Sequence, residues 1–231
     1  MKKYRHLFFD LDHTLWDFNV NSVNTLAEIF EKFSLQKKLE VSFTRFMSVY
    51  QEINEQLWDK YRNGKIAKDD LRFVRFFDAL AYFGFRNKEL AISIGEYYVY
   101  HSPRKSSLLP NAIQTLDYLK ERYNMHIITN GFEEVQYIKL KNSLLDNYFE
   151  HIITSERAGA KKPSELVFNY ALELTNCSVK ECLMIGDSFE ADIVGASNVG
   201  MDQVYFCEKK RWKGGKATYQ ISNLIELVNL L

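Results

Sequence analysis

Near its amino terminus the chain reads Leu7-Phe8-Phe9-Asp10-Leu11-Asp12-His13-Thr14, in which three apolar residues lead into two aspartates at alternate positions. The apolar run predicts a buried strand, and side chains two residues apart in an extended segment point to the same face. Asp10 and Asp12 are therefore expected on one face, directly after the strand. Aspartate is also a common turn residue at strand ends, so this segment alone does not indicate a function.

Four more short apolar runs occur later in the chain, and each has the length of a buried strand. They are His126-Ile127-Ile128, Ile152-Ile153, Leu183-Met184-Ile185 and Val204-Tyr205-Phe206. Helical periodicity alternates with them at 111–123, 133–145, 164–174 and 190–199. Strands that alternate with helices of this length predict an α/β fold, a Rossmann-like doubly wound parallel sheet covered on both faces.

The segment 17–102 differs from its flanks because it contains no proline and shows no strand pattern. Apolar residues recur in it with helical period, Ser22 is placed to cap the first helix, and a fourth helix is predicted at 88–101. We therefore predict an inserted α-helical cap domain at 17–102. The α/β core is predicted to consist of 1–16 and 103–231.

The composition argues against several classes of protein. Thirty Lys+Arg balance thirty Asp+Glu, which disfavours a protein that binds nucleic acid or an anionic membrane surface. The longest stretch without Asp, Glu, Lys or Arg runs only from Ser106 to Leu116, too short to span a bilayer. Cys177, Cys182 and Cys207 show neither disulfide nor zinc-site spacing, so we expect reduced thiols and a cytoplasmic protein.

Acidic and hydroxyl residues follow several of the predicted strands. Asp187 comes directly after a strand, as Asp10 does, and Thr129 follows another. Ligands of open α/β sheets bind at the carboxyl ends of the strands, so these groups and Asp12 are expected to converge. Crowded carboxylates favour a cation among them, and a small set of oxygen ligands suits Mg²⁺. The Thr129 hydroxyl and the Lys162 ammonium are candidates to bind a phosphoryl group there.

Four motifs together resemble, in order and spacing, those of the haloacid dehalogenase superfamily. They are Asp10-x-Asp12-x-Thr14, Thr129-Asn130-Gly131, Lys162-Pro163 and Gly186-Asp187-Ser188-x-x-x-Asp192. The resemblance covers essentially the whole chain, with the helical insert in the position of a type C1 cap. It implies a Mg²⁺-dependent phosphomonoesterase that works through an aspartyl-phosphate intermediate.

The resemblance also implies a role for each motif residue. Asp10 is expected to be the nucleophile, and Asp12 the general acid and base, with a pKa raised by its carboxylate neighbours. Mg²⁺ is expected to contact the Asp10 and Asp187 carboxylates and the Asp12 backbone carbonyl. Asp192 is expected to lie behind the site and to support Lys162. The residues expected to hold phosphoryl oxygens are Thr129, Asn130 and Lys162.

The residues that flank the motifs are similar to those of bacterial pyrimidine 5′-nucleotidases that act on noncanonical nucleotides. The similar segments are Leu11-Asp12-His13-Thr14-Leu15-Trp16-Asp17-Phe18, Ile128-Thr129-Asn130-Gly131-Phe132 and Phe168-Asn169-Tyr170-Ala171-Leu172-Glu173. The similarity implies a small phosphorylated metabolite as partner, and a pyrimidine nucleoside monophosphate as substrate. His13 stands where the superfamily often has Asp or Gly, a departure that bears on substrate choice and leaves the chemistry intact.

Other activities are compatible with part of this pattern. A sugar-phosphate phosphatase and a phosphosugar mutase similar to β-phosphoglucomutase would keep every motif. A dehalogenase of the same superfamily would work without metal and usually lacks the second aspartate, so Asp12 argues against it. A phosphate-binding regulatory module would be expected to have lost a nucleophile or metal ligand, and none is missing.

Two remaining features are interpreted as structural. The basic run at 209–216 contains Trp212 and resembles an exposed loop more than a nucleic-acid contact. The histidines His101, His126 and His151 have no ligand-like spacing in the sequence and are expected to serve the fold.

Overall fold

The computed structural model describes residues 3–207 and 215–231, and these form two compact units. The sheet unit comprises the chain up to Phe18 and again from Ser106 onward, and the helical unit comprises Asn19–Lys105. Most of the basic run, 209–214, lies outside the described residues. Among the described residues, no helix is long and apolar enough to cross a membrane.

The sheet unit is built on six parallel strands. They are β1 (His6–Phe9), β2 (Asn124–Thr129), β3 (His151–Thr154), β4 (Cys182–Gly186), β5 (Asp202–Phe206) and β6 (Tyr219–Ile221). Their order across the sheet is β3-β2-β1-β4-β5-β6, and every neighbouring pair is parallel. The chain places β2 and β4 on opposite sides of β1, so the order of the strands reverses at β1. The predicted Rossmann-like α/β class is therefore confirmed.

Helices dominate the helical unit, as the periodicity predicts. They are α1 (Phe18–Lys32), α2 (Leu35–Leu39), α3 (Phe43–Arg62), α4 (Lys68–Tyr82) and α5 (Lys88–His101). Their apolar faces meet in a core of large side chains, in which Tyr50 lies between Phe46 and Phe76 with ring centroids 6.2 and 5.1 Å away. Burial of these rings stabilises the helices, since isolated helices of this length are marginal in water.

The predicted start of the first of these helices is wrong. Ser22 does not cap it, because α1 already begins at Phe18 and Ser22 lies buried inside the helix. The Ser22 hydroxyl instead accepts a hydrogen bond from Tyr98 Oη at 2.9 Å, which joins α1 to α5. In the sequence, a serine that caps a helix cannot be told apart from a serine that forms a buried hydrogen bond to another helix, as Ser22 does.

Helices of the sheet unit lie between the strands in the chain. They are α6 (Ala112–Lys120), α7 (Glu133–Asn142), α8 (Ser155–Ala158), α9 (Glu165–Thr175), α10 (Gly195–Asn198) and α11 (Glu226–Leu230). Alternation along β1 sends Leu7 and Phe9 into one apolar cluster with α6 and Phe8 into another with α9. The sheet is thus buried on both faces, which explains why its strands are nearly continuous apolar runs.

The predicted helix at 190–199 differs from the observed backbone. A π-helical turn, Phe189–Val194, precedes the single turn of α10. The first residue of α10 is Gly195, and a larger residue would not fit because its Cβ would lie 2.6 Å from the Phe168 ring. The π-helical turn carries Asp192, whose side chain is buried. All three cysteines are free thiols, as predicted.

Candidate active site

The candidate site is formed where three adjacent strands end. The carboxyl ends of β2, β1 and β4 lead into Thr129 and Asn130, Asp10, and Asp187, respectively. The backbone N–H of Asp10 donates to the Ile185 carbonyl at 2.9 Å, so the ladder between β1 and β4 continues to the first aspartate. The position agrees with the rule that open α/β sheets bind ligands where the strand order reverses.

Lys162 joins the segment before α9 to the end of the sheet. Its ammonium donates to Asp10 Oδ1 and Asp192 Oδ1, both at 2.6 Å, and to the Ile128 carbonyl at 2.8 Å. Only 2% of the Lys162 side chain is exposed, so its charge is removed from water and is compensated by the two aspartates. The Asp10 and Asp192 carboxylates outweigh the effect of burial and raise the pKa of Lys162, which keeps the ammonium charged.

Three carboxylates crowd around this lysine. Oxygens of Asp10, Asp187 and Asp192 all lie within 4.8 Å of one another. Burial, followed by the charges of Asp10 and Asp192, raises the pKa of Asp187 to about 8. Burial raises the pKa of Asp10 to about 7, although Lys162 opposes the shift. Lys162 contributes one positive charge against three carboxylates, so the donor set fits a divalent cation that prefers oxygen ligands, such as Mg²⁺.

Thr14 joins the first motif to the fourth. Its hydroxyl donates to Asp187 Oδ1 at 3.2 Å and lies 3.1 Å from the Asp187 backbone N–H, which donates to it. Asp192 is held on the other side, because its Oδ2 accepts from the Ser188 backbone N–H at 3.0 Å. Asp187 and Asp192 thus have fixed directions relative to Asp10.

Gln136 forms hydrogen bonds across the turn that follows β2. Gln136 Nε2, on α7, donates to Thr129 Oγ1 at 3.1 Å and to Asp12 Oδ2 at 3.0 Å. Gly131 N–H also donates to Thr129 Oγ1, at 3.1 Å. A Cβ at Gly131 would lie 1.5 Å from Gln136 Nε2, so glycine is required for this close approach.

The expected raised pKa of Asp12 is wrong. Burial alone would raise it, but the Lys139 ammonium, 2.5 Å from Asp12 Oδ1, and the Gln136 hydrogen bond together hold the pKa of Asp12 below its usual range. Lys139 also lies 4.4 Å from the centre of the Trp16 ring, in a cation–π contact. The sequence places Asp12 beside other carboxylates, whereas in the structure its nearest charged partner is a buried lysine.

Asn130, which is expected to assist in phosphoryl binding, forms two side-chain hydrogen bonds to Lys162 in the structure. Its side-chain oxygen accepts from the Lys162 backbone N–H at 2.8 Å, and its Nδ2 donates to the Lys162 carbonyl at 2.9 Å. Both functional atoms of the amide are therefore used to fix the Lys162 backbone. Asn130 orients Lys162, and its Nδ2 keeps a second N–H.

Gln136 and Lys139 are the site residues that the sequence motifs miss. They lie three residues apart on the buried side of α7. No sequence signal marks them, because a Gln and a Lys within a helix ordinarily face solvent.

Known proteins resemble this chain over most of its length. The family profile of haloacid dehalogenase-like hydrolases matches residues 7–206. Pyrimidine 5′-nucleotidase YjjG of Escherichia coli (strain K12) is 32% identical over 236 residues, covering 99% of this chain and 98% of that protein. Glyceraldehyde 3-phosphate phosphatase of Pyrococcus furiosus is 33% identical over 210 residues, covering 89% of this chain and 82% of that protein.

A solved structure is similar from end to end. The magnesium-bound orthorhombic crystal form of the HAD-hydrolase YfnB from Bacillus subtilis has a TM-score of 0.89 and 29% sequence identity, and the match covers 99% of each chain. The profile match runs from the second residue of β1 to the last residue of β5 and so includes all four motifs. Sequence, fold and the arrangement of the four motifs agree, and the chain belongs to the haloacid dehalogenase-like hydrolases.

Proposed function

We propose that this chain is a Mg²⁺-dependent phosphomonoesterase that forms an aspartyl phosphate on Asp10 and acts on pyrimidine nucleoside 5′-monophosphates. The observation that supports it most strongly is the group formed by Asp10, Lys162, Asp187 and Asp192, in which a carboxylate nucleophile lies beside a buried ammonium and a cation-binding set. The proposal includes a cytoplasmic location, which suits three free thiols.

The chemistry divides one difficult displacement into two steps. In the first, an Asp10 carboxylate oxygen bonds to phosphorus, the bond from phosphorus to the ester oxygen breaks, and Asp12 gives a proton to the departing oxygen. In the second, Asp12 takes a proton from water, the water oxygen bonds to phosphorus, and the bond from phosphorus to Asp10 breaks. Inorganic phosphate leaves and Asp10 is restored. The lowered pKa of Asp12 suits the second step, in which its ionised form accepts a proton.

Two carboxylates, those of Asp10 and Asp187, and the Asp12 backbone carbonyl would hold Mg²⁺. The ion would supply positive charge to the phosphoryl oxygens and relieve the repulsion that raises the pKa of Asp187. Lys162 and the Thr129 hydroxyl would contact the same phosphoryl group from the other side. Asp192 and Asn130 would hold Lys162 in place, through its ammonium and its backbone respectively.

The pyrimidine nucleotide assignment is supported by the flanking residues of the motifs and by the similarity to the nucleotidase YjjG over nearly the whole chain. The helical unit, Asn19–Lys105, follows the first motif in the chain, and we assign it the part of a cap that selects the leaving group. An aromatic-rich cap suits a flat base, since a base stacked on an aromatic ring gains about 1–3 kcal/mol in nucleic-acid complexes.

A second substrate class has an observation of its own. Glyceraldehyde 3-phosphate phosphatase of Pyrococcus furiosus is 33% identical to this chain, a similarity of the same order as that of the nucleotidase. A phosphatase of small sugar phosphates is therefore the alternative, and a phosphosugar mutase with the same motifs is another.

Initial rates of phosphate release over a panel of substrates test the proposal. The panel contains deoxyuridine and thymidine 5′-monophosphates, glyceraldehyde 3-phosphate and glucose phosphates, each with Mg²⁺ and with excess chelator. We expect kcat/KM for a pyrimidine nucleotide at least about tenfold above glucose phosphates, a gap of about 1.4 kcal/mol. A reversed preference contradicts the nucleotide assignment, and full activity in chelator contradicts the metal assignment.

A further inference from the structure

Three histidines lie at the amino ends of the strands, on the edge of the sheet opposite the active site. His6 begins β1, His151 begins β3, and His126 is in β2 between them. His126 pairs with His151 in the register and with Phe8 on the other side. Since Phe8 and His6 are two residues apart, all three imidazoles project from the same face of the sheet.

The three imidazoles are in direct contact. The rings of His6 and His126 stack with centroids 5.4 Å apart, and those of His126 and His151 with centroids 5.3 Å apart. His6 Nδ1 lies 3.1 Å from His126 Nε2. This row brings ring nitrogens together from residues that are 120 positions apart in the chain.

A carboxylate adds to this row. Glu150 precedes β3, and its backbone N–H donates to the Met125 carbonyl at 2.9 Å, which fixes the start of β3 against β2. One carboxylate oxygen of Glu150 and one ring nitrogen each of His126 and His151 all lie within 4.8 Å of one another. Two imidazoles and one carboxylate are a frequent donor set for zinc.

The central histidine has an unsatisfied atom. His126 is completely buried, and its Nδ1 has no hydrogen-bond partner. A buried polar atom without a partner costs about 1–3 kcal/mol, so a structure retains it when something else satisfies it. Coordination of a cation through Nδ1 would satisfy this atom.

The donors that complete the set are more accessible to solvent than His126. Glu150 is exposed and His151 is half-buried at the first residue of its strand. Zinc to nitrogen or oxygen distances are about 2.0–2.2 Å, so one ion can contact donor atoms that lie this close together.

We propose that His126, His151 and Glu150 bind a divalent transition-metal ion of the zinc type, with His6 beside them as a fourth donor or as the residue that orients His126. Imidazole donors favour Zn²⁺, Ni²⁺ or Cu²⁺ over Mg²⁺, so this site selects a different ion from the carboxylate group at the other edge. The bound ion cross-links the starts of β2 and β3. Its function is structural, and it does not depend on the phosphatase proposal.

Calorimetric titration of the full chain with Zn²⁺, at neutral pH and in excess Mg²⁺, tests this site. Excess Mg²⁺ competes with Zn²⁺ for the carboxylate group of Asp10, Asp187 and Asp192, and the variants below show which part of the heat comes from the histidine site. We expect one Zn²⁺ per chain and a rise in Tm with Zn²⁺. His151→Asn and Glu150→Gln, at sites that are not fully buried, should each weaken binding at least about tenfold and reduce the rise in Tm. Failure of the wild type to bind Zn²⁺ under these conditions overturns the proposal.

Two control variants separate this site from other donors. His101→Asn changes a histidine of the helical unit, and it should bind Zn²⁺ like the wild type. Cys177→Ser removes a thiol whose Sγ lies 2.9 Å from Cys182 Sγ, and it should also bind normally. Unchanged binding in both His151→Asn and Glu150→Gln contradicts the proposal. Loss of binding in Cys177→Ser alone also contradicts it, because the thiols would then be the ligands.

Discussion

The Asp12 carboxylate forms an ion pair with Lys139, which belongs to none of the four motifs. Lys139 is buried against the Asp12 carboxylate and the Trp16 ring, so its ammonium is desolvated and faces a single carboxylate. The charge of this ammonium opposes the effect of burial and lowers the pKa of Asp12. If Asp12 is the proposed base, Lys139 and the Gln136 hydrogen bond favour its ionised form.

Replacement of this lysine should change the pH profile of the enzyme. In Lys139→Met the pKa of Asp12 rises, because the cation that holds it below its usual range is gone. Ionised Asp12 then persists only at higher pH, so the acid limb of the kcat profile should move to higher pH. Lys141→Met, an exposed lysine on the same helix, is the matched control and should keep the wild-type profile. An unmoved acid limb in Lys139→Met rules out this coupling.

Several motif residues could be predicted from sequence because each is the last residue of a strand or directly follows one, where the topology brings chain segments together. Asp10, Thr129 and Asp187 belong to this group. Lys139 and Gln136 could not, because they come from the middle of a helix, where a polar residue ordinarily faces solvent. Their burial depends on how α7 packs, which is a tertiary property.

At the scale of elements, the turn between β2 and α7 connects Thr129, a proposed phosphate-binding residue, to Asp12, the proposed acid and base. Gln136 reaches back from α7 to Thr129 and Asp12 across the space that a side chain at Gly131 would fill. The turn and the first turns of α7 therefore act as one rigid part of the site.

A methyl group added at Gly131 should break the hydrogen bonds that join this turn to Asp12. In Gly131→Ala the new Cβ displaces the Gln136 amide, which loses its hydrogen bonds to Thr129 and Asp12. We expect kcat to fall at least about tenfold, since loss of a positioning contact of this kind costs about 1.4 kcal/mol or more of transition-state stabilisation. The fold should remain, because the amide lies at the far end of a flexible side chain.

A double-mutant cycle checks the cause. Gly131→Ala should lower kcat much less in a Gln136→Ala background, where no amide is left to displace. Additive losses in the cycle would show that the methyl group acts on the backbone of the turn instead.

The elements themselves follow from the sequence to different degrees. The five longer strands were predictable since each contains a short apolar run. β6 has only three residues, too few to show an alternating pattern. The π-helical turn at Phe189–Val194 was not predictable either, because its wider turn depends on how Asp192 and Lys162 pair across the fold.

At the scale of the whole molecule, the row of histidines couples stability to pH. Burial, followed by the proximity of His6 and His151, lowers the pKa of His126 to about 3. The unfolded chain has a histidine pKa of about 6.5, so between these values the unfolded state binds more protons than the folded state. The stabilising contribution is complete above pH 6.5 and is lost as the pH falls.

Urea unfolding at several pH values, with a chelator present to remove bound metal, measures this effect. Between pH 6 and 5 the wild type should lose up to about 1.4 kcal/mol more per pH unit than His126→Gln. His101→Gln, which changes a histidine of the helical unit, should follow the wild type. Parallel curves for wild type and His126→Gln would show that His126 is not the group responsible.

The central claim is that Asp10 carries the phosphoryl group during turnover, and chemical trapping tests it most directly. The enzyme is mixed with deoxyuridine 5′-monophosphate labelled at phosphorus in the presence of Mg²⁺, quenched in acid within the turnover time, and digested. We predict label on the peptide that contains Asp10, released by hydroxylamine, and neither label nor turnover in Asp10→Asn. Phosphate release by the wild type with no label on that peptide, or sustained turnover by Asp10→Asn, would contradict the account.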